Sequence, residues 1–258
     1  EFFNPAPRQT GNPVTPIDVV GGRRWVVRGN FIHDHAKGGG DGISYAAFLK
    51  GNSRDGLFER NLVMCTRNFS GGTRIGLSLG GGGTAPQFCE EASCTTEHQN
   101  GILRNNLIVN CSDVGIYLNR AQDTVVDHNT LYATAGIDVR FPTSSATLRN
   151  NALTSAIRNR DGGTSTQSGN LANVALATMQ AWFQDPANAD FRALDVAALV
   201  NQGAGGTGVV DDYCSDDRDE SVATTEPPTT SAVVIEAPSG VLRPPRPRSR
   251  GRWLGHAL

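Results

Sequence analysis

Lysine is almost missing from this chain. Of 23 basic residues only Lys37 and Lys50 are lysine, and 25 acidic residues bring the net charge to −2. No global basic field is left to draw in nucleic acid. No apolar run reaches 18 residues, so no membrane-spanning helix is expected. Helical periodicity is equally scarce, with no convincing 3.6-residue pattern before residue 172. Five cysteines form an odd set. They favour an extracellular or cell-surface, secreted protein over a cytosolic one. The chain begins at Glu1 without Met and without a signal peptide, and is expected to be an N-terminally truncated fragment.

What fills the space instead is repetition. Short apolar runs end on Asn in "WVVRGNFI", "LFERNLV", "ILRNNLI", "VVDHNTL" and "TLRNNAL". The shared residues are Asn30, Asn61, Asn106, Asn129 and Asn151, spaced 31, 45, 23 and 22 apart. A second column runs through Ile43, Ile75, Ile116, Ile137 and Ile157, spaced 32, 41, 21 and 20 apart. Both columns share a unit of about 22 residues, enlarged in the first two repeats by insertions. Within a unit the alternation is twofold, as in Ile116 and Leu118 against Tyr117 and Asn119. A four-residue strand cannot bury an apolar face alone, but stacked coils about 4.8 Å apart can. The expected fold is all-β: a single-stranded right-handed parallel β-helix of about six coils, with a short C-terminal helix and a disordered tail. Residues 1–170 are the expected coils, 171–214 a capping region and 215–258 the tail. "ANVALATMQAWFQ" (172–184) supplies the helix, through Val174, Leu176, Met179 and Trp182.

The Asn column is read as a structural hydrogen-bonded ladder. Cys89 and Cys94 can pair across a short loop. Cys65 and Cys111 lie at nearly equivalent repeat positions, as a disulfide or as two stacked thiols; Cys214 is left over. Trp25, Phe31, Phe48 and Phe58 are read as core or core-edge packing. The insertions "HDHAKGGGDG", "CTRNFSGGTR" and "GGGGTAPQFCEEASCTTEHQN" are candidate binding loops.

Residues alternating with the Ile column should face outward. Counted from each Ile, one row is Ser44, Gly76, Tyr117, Asp138 and Arg158, and the next is Ala46, Ser78, Asn119, Arg140 and Arg160. A solvated face explains half of such a pattern. The clustered arginines favour an anionic partner, because like charges at strand spacing repel. Planar guanidinium groups suit carboxylate or sulfate, and Tyr117 can stack on a sugar. A long linear face fits an acidic polysaccharide. Asn119, Asp138, Arg140, Arg158, Arg160, His33 and His35 are the expected substrate contacts.

"LRNNLIVNCSDVGIYL" and "VVDHNTLYATAGIDV" resemble secreted right-handed β-helix proteins of the pectate-lyase type, over roughly residues 13–170. The likeness is nearest to chondroitinase- and alginate-type lyases. It implies cleavage of a uronate polymer by β-elimination, which needs a cation at the carboxylate, a base and an acid. A base lysine in such enzymes follows a strand of this sheet; "FLKGNSRDG" puts Lys50 there, with Arg74 as neutralising cation and Tyr117 as acid. The acidic metal ligands of those enzymes fall on "GISYAAFL" here, so Ca²⁺ is an open option and no metal ligand is assigned. Two histidines, His33 and His35, do not define a metal site, and Glu90, Glu91, Glu97 and His98 read as a solvated loop. Two alternatives remain: a non-catalytic carbohydrate-binding or adhesive solenoid, and a polygalacturonase-like hydrolase. The latter needs two carboxylates at the bond, and the outward rows offer only Asp138. A monomer is expected.

Overall fold

The computed structural model describes residues 1–195, 198–199 and 202–215; the expected tail lies outside them from residue 216 onward. Among these residues, three six-stranded parallel sheets wind together as a β-helix. The front sheet stacks Ile17–Val20, Ile43–Lys50, Thr73–Leu79, Ile116–Asn119, Ile137–Arg140 and Ile157–Arg160. A second sheet stacks Val26–Arg28, Leu57–Glu59, Ile102–Arg104, Thr124–Asp127, Ser145–Arg149 and Thr164–Ser168. The third contains the short strands that follow each Asn, such as Leu107–Val109 and Thr130–Tyr132.

Each strand is two to eight residues long and is stable only as one rung of a stack. The central core is made by inward residues of successive rungs, among them Leu77, Leu79, Leu103, Ile108, Ile116, Leu118, Ile137 and Leu148. Phe58 lies in it, fully buried, whereas Trp25 is half exposed and stands outside.

The Asn column is a continuous ladder at the corner between the second and third sheets. Each Asn Oδ1 accepts from the backbone N–H and the side-chain amide of the Asn one coil earlier, at 2.9–3.1 Å. Each amide donates in addition to a strand carbonyl of the preceding coil, as Asn106 does to Phe58 O at 3.0 Å. A sixth member, Asn170, extends the series. Cys65 and Cys111 form a disulfide with Cα atoms 4.8 Å apart, and Cys89 pairs with Cys94.

The helix is Leu176–Trp182, shorter than its sequence pattern suggests. It places Met179 in a second apolar cluster with Phe183, Phe191 and Tyr132. That cluster packs on the outer side of the third sheet.

Candidate functional site

Pairing in the front sheet changes the phase of the outward rows. Tyr117 lies beside Ser78 and Leu118 beside Leu79, while Leu77 pairs with Ala47 on its other side. The core positions of the second and third front strands are therefore Ala47 and Leu77, four residues beyond Ile43 and two beyond Ile75. One outward row runs Asp18, Phe48, Ser78, Tyr117, Asp138 and Arg158. The next contains Val20 beside Lys50, and Asn119 beside Arg140 and Arg160. Gly80 stands between the two halves of that row, one residue beyond the Leu49–Leu79–Leu118 rung. Ser44, Gly76 and Ala46 do not belong to these rows. Ser44 is buried, with its hydroxyl donating to His35 O at 2.7 Å.

The arginines do not stand as bare cations. Asp138, 1% exposed, accepts from Arg158 Nε and from Arg160 Nη1, each at 2.6 Å. Arg140 donates to Asp161 and, at 3.1 Å, to the Tyr117 hydroxyl. Its guanidinium and that of Arg120 both lie over the Phe141 ring, at 4.7 and 4.9 Å. The repulsion inferred from the row is thus relieved within the protein, by Asp138 and Asp161.

Lys50 differs from its neighbours in the row. Among the described residues it makes no ion pair; its ammonium lies over the Phe48 ring, 4.4 Å from the centroid. Phe48 in turn meets Tyr45 edge-on at 5.5 Å. Burial pushes the Tyr45 phenol up to about 12, so it stays a neutral hydrogen-bonding group across the physiological range. Tyr45, Ile75, Val114 and Tyr117 form a small apolar cluster of their own. The sequence reading missed Tyr45 altogether and assigned Phe48 to the core edge. Counting the rows from Ala47 and Leu77 rather than from Ile43 and Ile75 would have placed Phe48 beside Ser78.

The long third insertion folds back on this face. Glu90 pairs with Arg23 at 2.6 Å and Glu91 with Arg54 at 2.9 Å, while Glu90 N donates to Gly51 O at 2.8 Å. Glu97 is no solvated loop residue. It is 1% exposed, and its Oε2 accepts from Gly51 N at 2.7 Å. Burial raises its carboxyl above the usual range, against the pull of Lys50 and Arg120.

Three residues expected at the substrate lie elsewhere. Arg74 is fully buried, donating through Nε to Gly71 O at 2.9 Å and through Nη1 to Cys65 O at 2.5 Å. It braces its own insertion and presents no atom to a polymer. His33 is 2% exposed, tied to Asp34 at 2.8 Å and Glu1 at 2.9 Å, with Phe3 stacked on its ring at 4.8 Å. His35 is fully enclosed on Ile75 O, and burial pulls its imidazole down to about 3. Asp34 takes a positive φ of 53°, so strand alternation breaks within "HDH". These side chains come together as packing around the first insertions.

A family model described as "Periplasmic copper-binding protein (NosD)" matches residues 88–175. No curated protein and no solved structure matches this chain. The matched third of the chain covers the end of the long loop and the regular coils that follow it. It includes Tyr117, Asn119, Asp138, Arg140, Arg158 and Arg160, and excludes Lys50.

Proposed function

We propose that this is an exported, cell-envelope β-helix protein, a monomer, that binds an acidic, uronate-containing polysaccharide along its front sheet. The observation that carries this reading is the row of Lys50, Asn119, Arg140 and Arg160 on one face, beside Tyr117. Strands about 4.8 Å apart repeat polar contacts on a scale that a linear sugar chain can follow. Arginines already held by carboxylates on one side still offer their remaining N–H groups to a carboxylate in the planar, two-pronged geometry. The two disulfides suit an oxidising compartment, and the family description is of periplasmic proteins.

The copper in that description does not transfer readily. Among the described residues no three His, Cys, Asp or Glu side chains converge as a metal site. Within the matched stretch, His98 is fully buried and His128 bonds to Thr207.

Cleavage by β-elimination is the finer reading. With Arg74 enclosed, Lys50 as base and Arg140 with Tyr117 as cation and acid are the combination left to support it. Hydrolysis by paired carboxylates is disfavoured. Asp18 and Asp138 share a row but stand four rungs apart, roughly 19 Å at strand spacing, beyond the roughly 10 Å that such pairs span.

Electrophoresis through gels containing alginate, pectate or chondroitin sulfate tests binding. Retardation is expected in at least one gel, and the double variant Arg140→Ala/Arg160→Ala should lose it, with affinity at least tenfold lower. Unchanged mobility of that variant would show a merely solvated face. Absorbance near 235 nm on incubation with the same polymers reports the unsaturated uronate of elimination. A flat trace with a retarded protein leaves binding without cleavage.

A further inference from the structure

The run Gly80-Gly81-Gly82-Gly83 follows the third front strand and lies between Lys50 and Asn119. Gly80 has a structural reason to be glycine. Its φ is +75°, and a Cβ there would stand 1.9 Å from Asn119 O. The next two do not share that reason. A Cβ on Gly81 would meet only Lys50 Cδ, at 3.5 Å, and one on Gly82 only Asn119 Nδ2, at 3.9 Å. Both are ordinary contact distances, and neither residue has a positive φ. Side chains would fit at 81 and 82, yet the space beside them is left open.

The walls of that space are chemically distinct. On one side stands Lys50, the front-row cation without an ion pair among the described residues. On the other stands Asn119, 6% exposed, whose amide Nδ2 is the atom nearest a Gly82 Cβ. Glu97 closes the base, its Cβ 2.9 Å from where a Gly80 Cβ would be.

We propose that the glycine run forms the floor of a monosaccharide subsite, in which one uronic acid ring lies between Lys50 and Asn119. The ring's carboxylate meets the Lys50 ammonium, and a ring oxygen accepts from Asn119 Nδ2, the amide atom nearest the gap. Gly81 and Gly82 are specificity-determining because they carry no side chain: the floor admits a ring that any larger residue would exclude. This assignment rests on the polysaccharide-binding reading above and locates its central contact.

The test is Gly82→Trp, which fills the gap from a position where the backbone tolerates a side chain. Alginate is the probe, in affinity electrophoresis, alongside a urea unfolding curve for each variant. Gly82→Trp is expected to bind at least tenfold more weakly than the parent with an unchanged unfolding midpoint. Gly82→Ala should fall between them, and Lys50→Met should match the tryptophan variant. Retardation of Gly82→Trp equal to the parent's, while Arg140→Ala/Arg160→Ala is no longer retarded, would overturn the subsite and leave the polymer elsewhere on the face. A parent protein unretarded by alginate, pectate and chondroitin sulfate would instead remove the binding reading itself.

Discussion

Replacing Asn106 by Ala is expected to lower the unfolding free energy by about 4 kcal/mol. Asn106 is fully buried near the middle of its column. Its Oδ1 accepts from Asn61 N and Nδ2 at 3.0 and 2.9 Å, and its amide donates to Asn129 Oδ1 and Phe58 O at 2.9 and 3.0 Å. Alanine would strand the Asn61 N–H and one of its amide protons in a fully buried site. It would also take a donor from Asn129 and from the Phe58 carbonyl. Buried groups left unpaired in this way cost about 1–3 kcal/mol each. In a solenoid the damage falls on one inter-coil interface, because each coil touches only its neighbours. Asn30 gives the contrast. It begins the column and its amide is partly exposed, so Asn30→Ala should cost only about 1 kcal/mol. Urea unfolding of both variants checks the difference. Midpoints that agree within error would mean that the ladder is not what couples the coils.

That column was legible because it obeys a rule with no phase ambiguity: one Asn per coil, at a corner where the preceding residue takes a positive φ, as Arg60, Asn105, His128 and Asn150 do. Asn170 escaped because "TQSGN" lacks the apolar run that marks the others. The front sheet was harder to read for a physical reason. Side chains alternate with period two, so a shift of two or four residues preserves every inward and outward assignment while moving each residue to another row. The strands Ile43–Lys50 and Thr73–Leu79 are lengthened at their starts by the insertions that precede them, and Ile43 and Ile75 thereby posed as the core isoleucines. Correcting the shift brings Lys50 into line with Asn119 and Arg140, a juxtaposition that the sequence reading did not make. Arg74, His33 and His35 carried no sequence mark of burial. Their loops fold inward on hydrogen bonds to backbone carbonyls and to Asp34, which no pattern of residue types announces.

Acid should begin to destabilise this protein near pH 6.5, and His98 is expected to be a principal cause. His98 occupies the short strand His98–Gln99, paired with Ser53 on one side and Ala121 on the other. It is fully buried, and among the described residues neither ring nitrogen has a hydrogen-bond partner. The ring lies against Gly56 and Gly101, where an added Cβ would come within 2.7 Å of it. Burial pulls its pKa down from 6.5 to about 4. The unfolded chain therefore takes up a proton near pH 6.5 that the folded chain refuses until about pH 4. The stability linked to this group is complete above pH 6.5 and drains away as pH falls through that window, by about 3 kcal/mol in all. His35, pulled down to about 3 by burial, acts in the same direction. The glutamate and aspartate carboxyls that burial raises, Glu97 and Asp127, act in the opposite one, so only a difference between variants isolates His98. His98→Leu keeps an apolar side chain of similar reach beside Leu49 and Leu79 and removes two unpartnered nitrogens. It should equal or exceed the parent in stability at pH 7, and its advantage should widen by about 3 kcal/mol between pH 7 and pH 4. Denaturant midpoints taken across that range give the two curves. Parallel curves would mean that His98 gains a hydrogen-bonding partner, or solvent, that its enclosed position withholds.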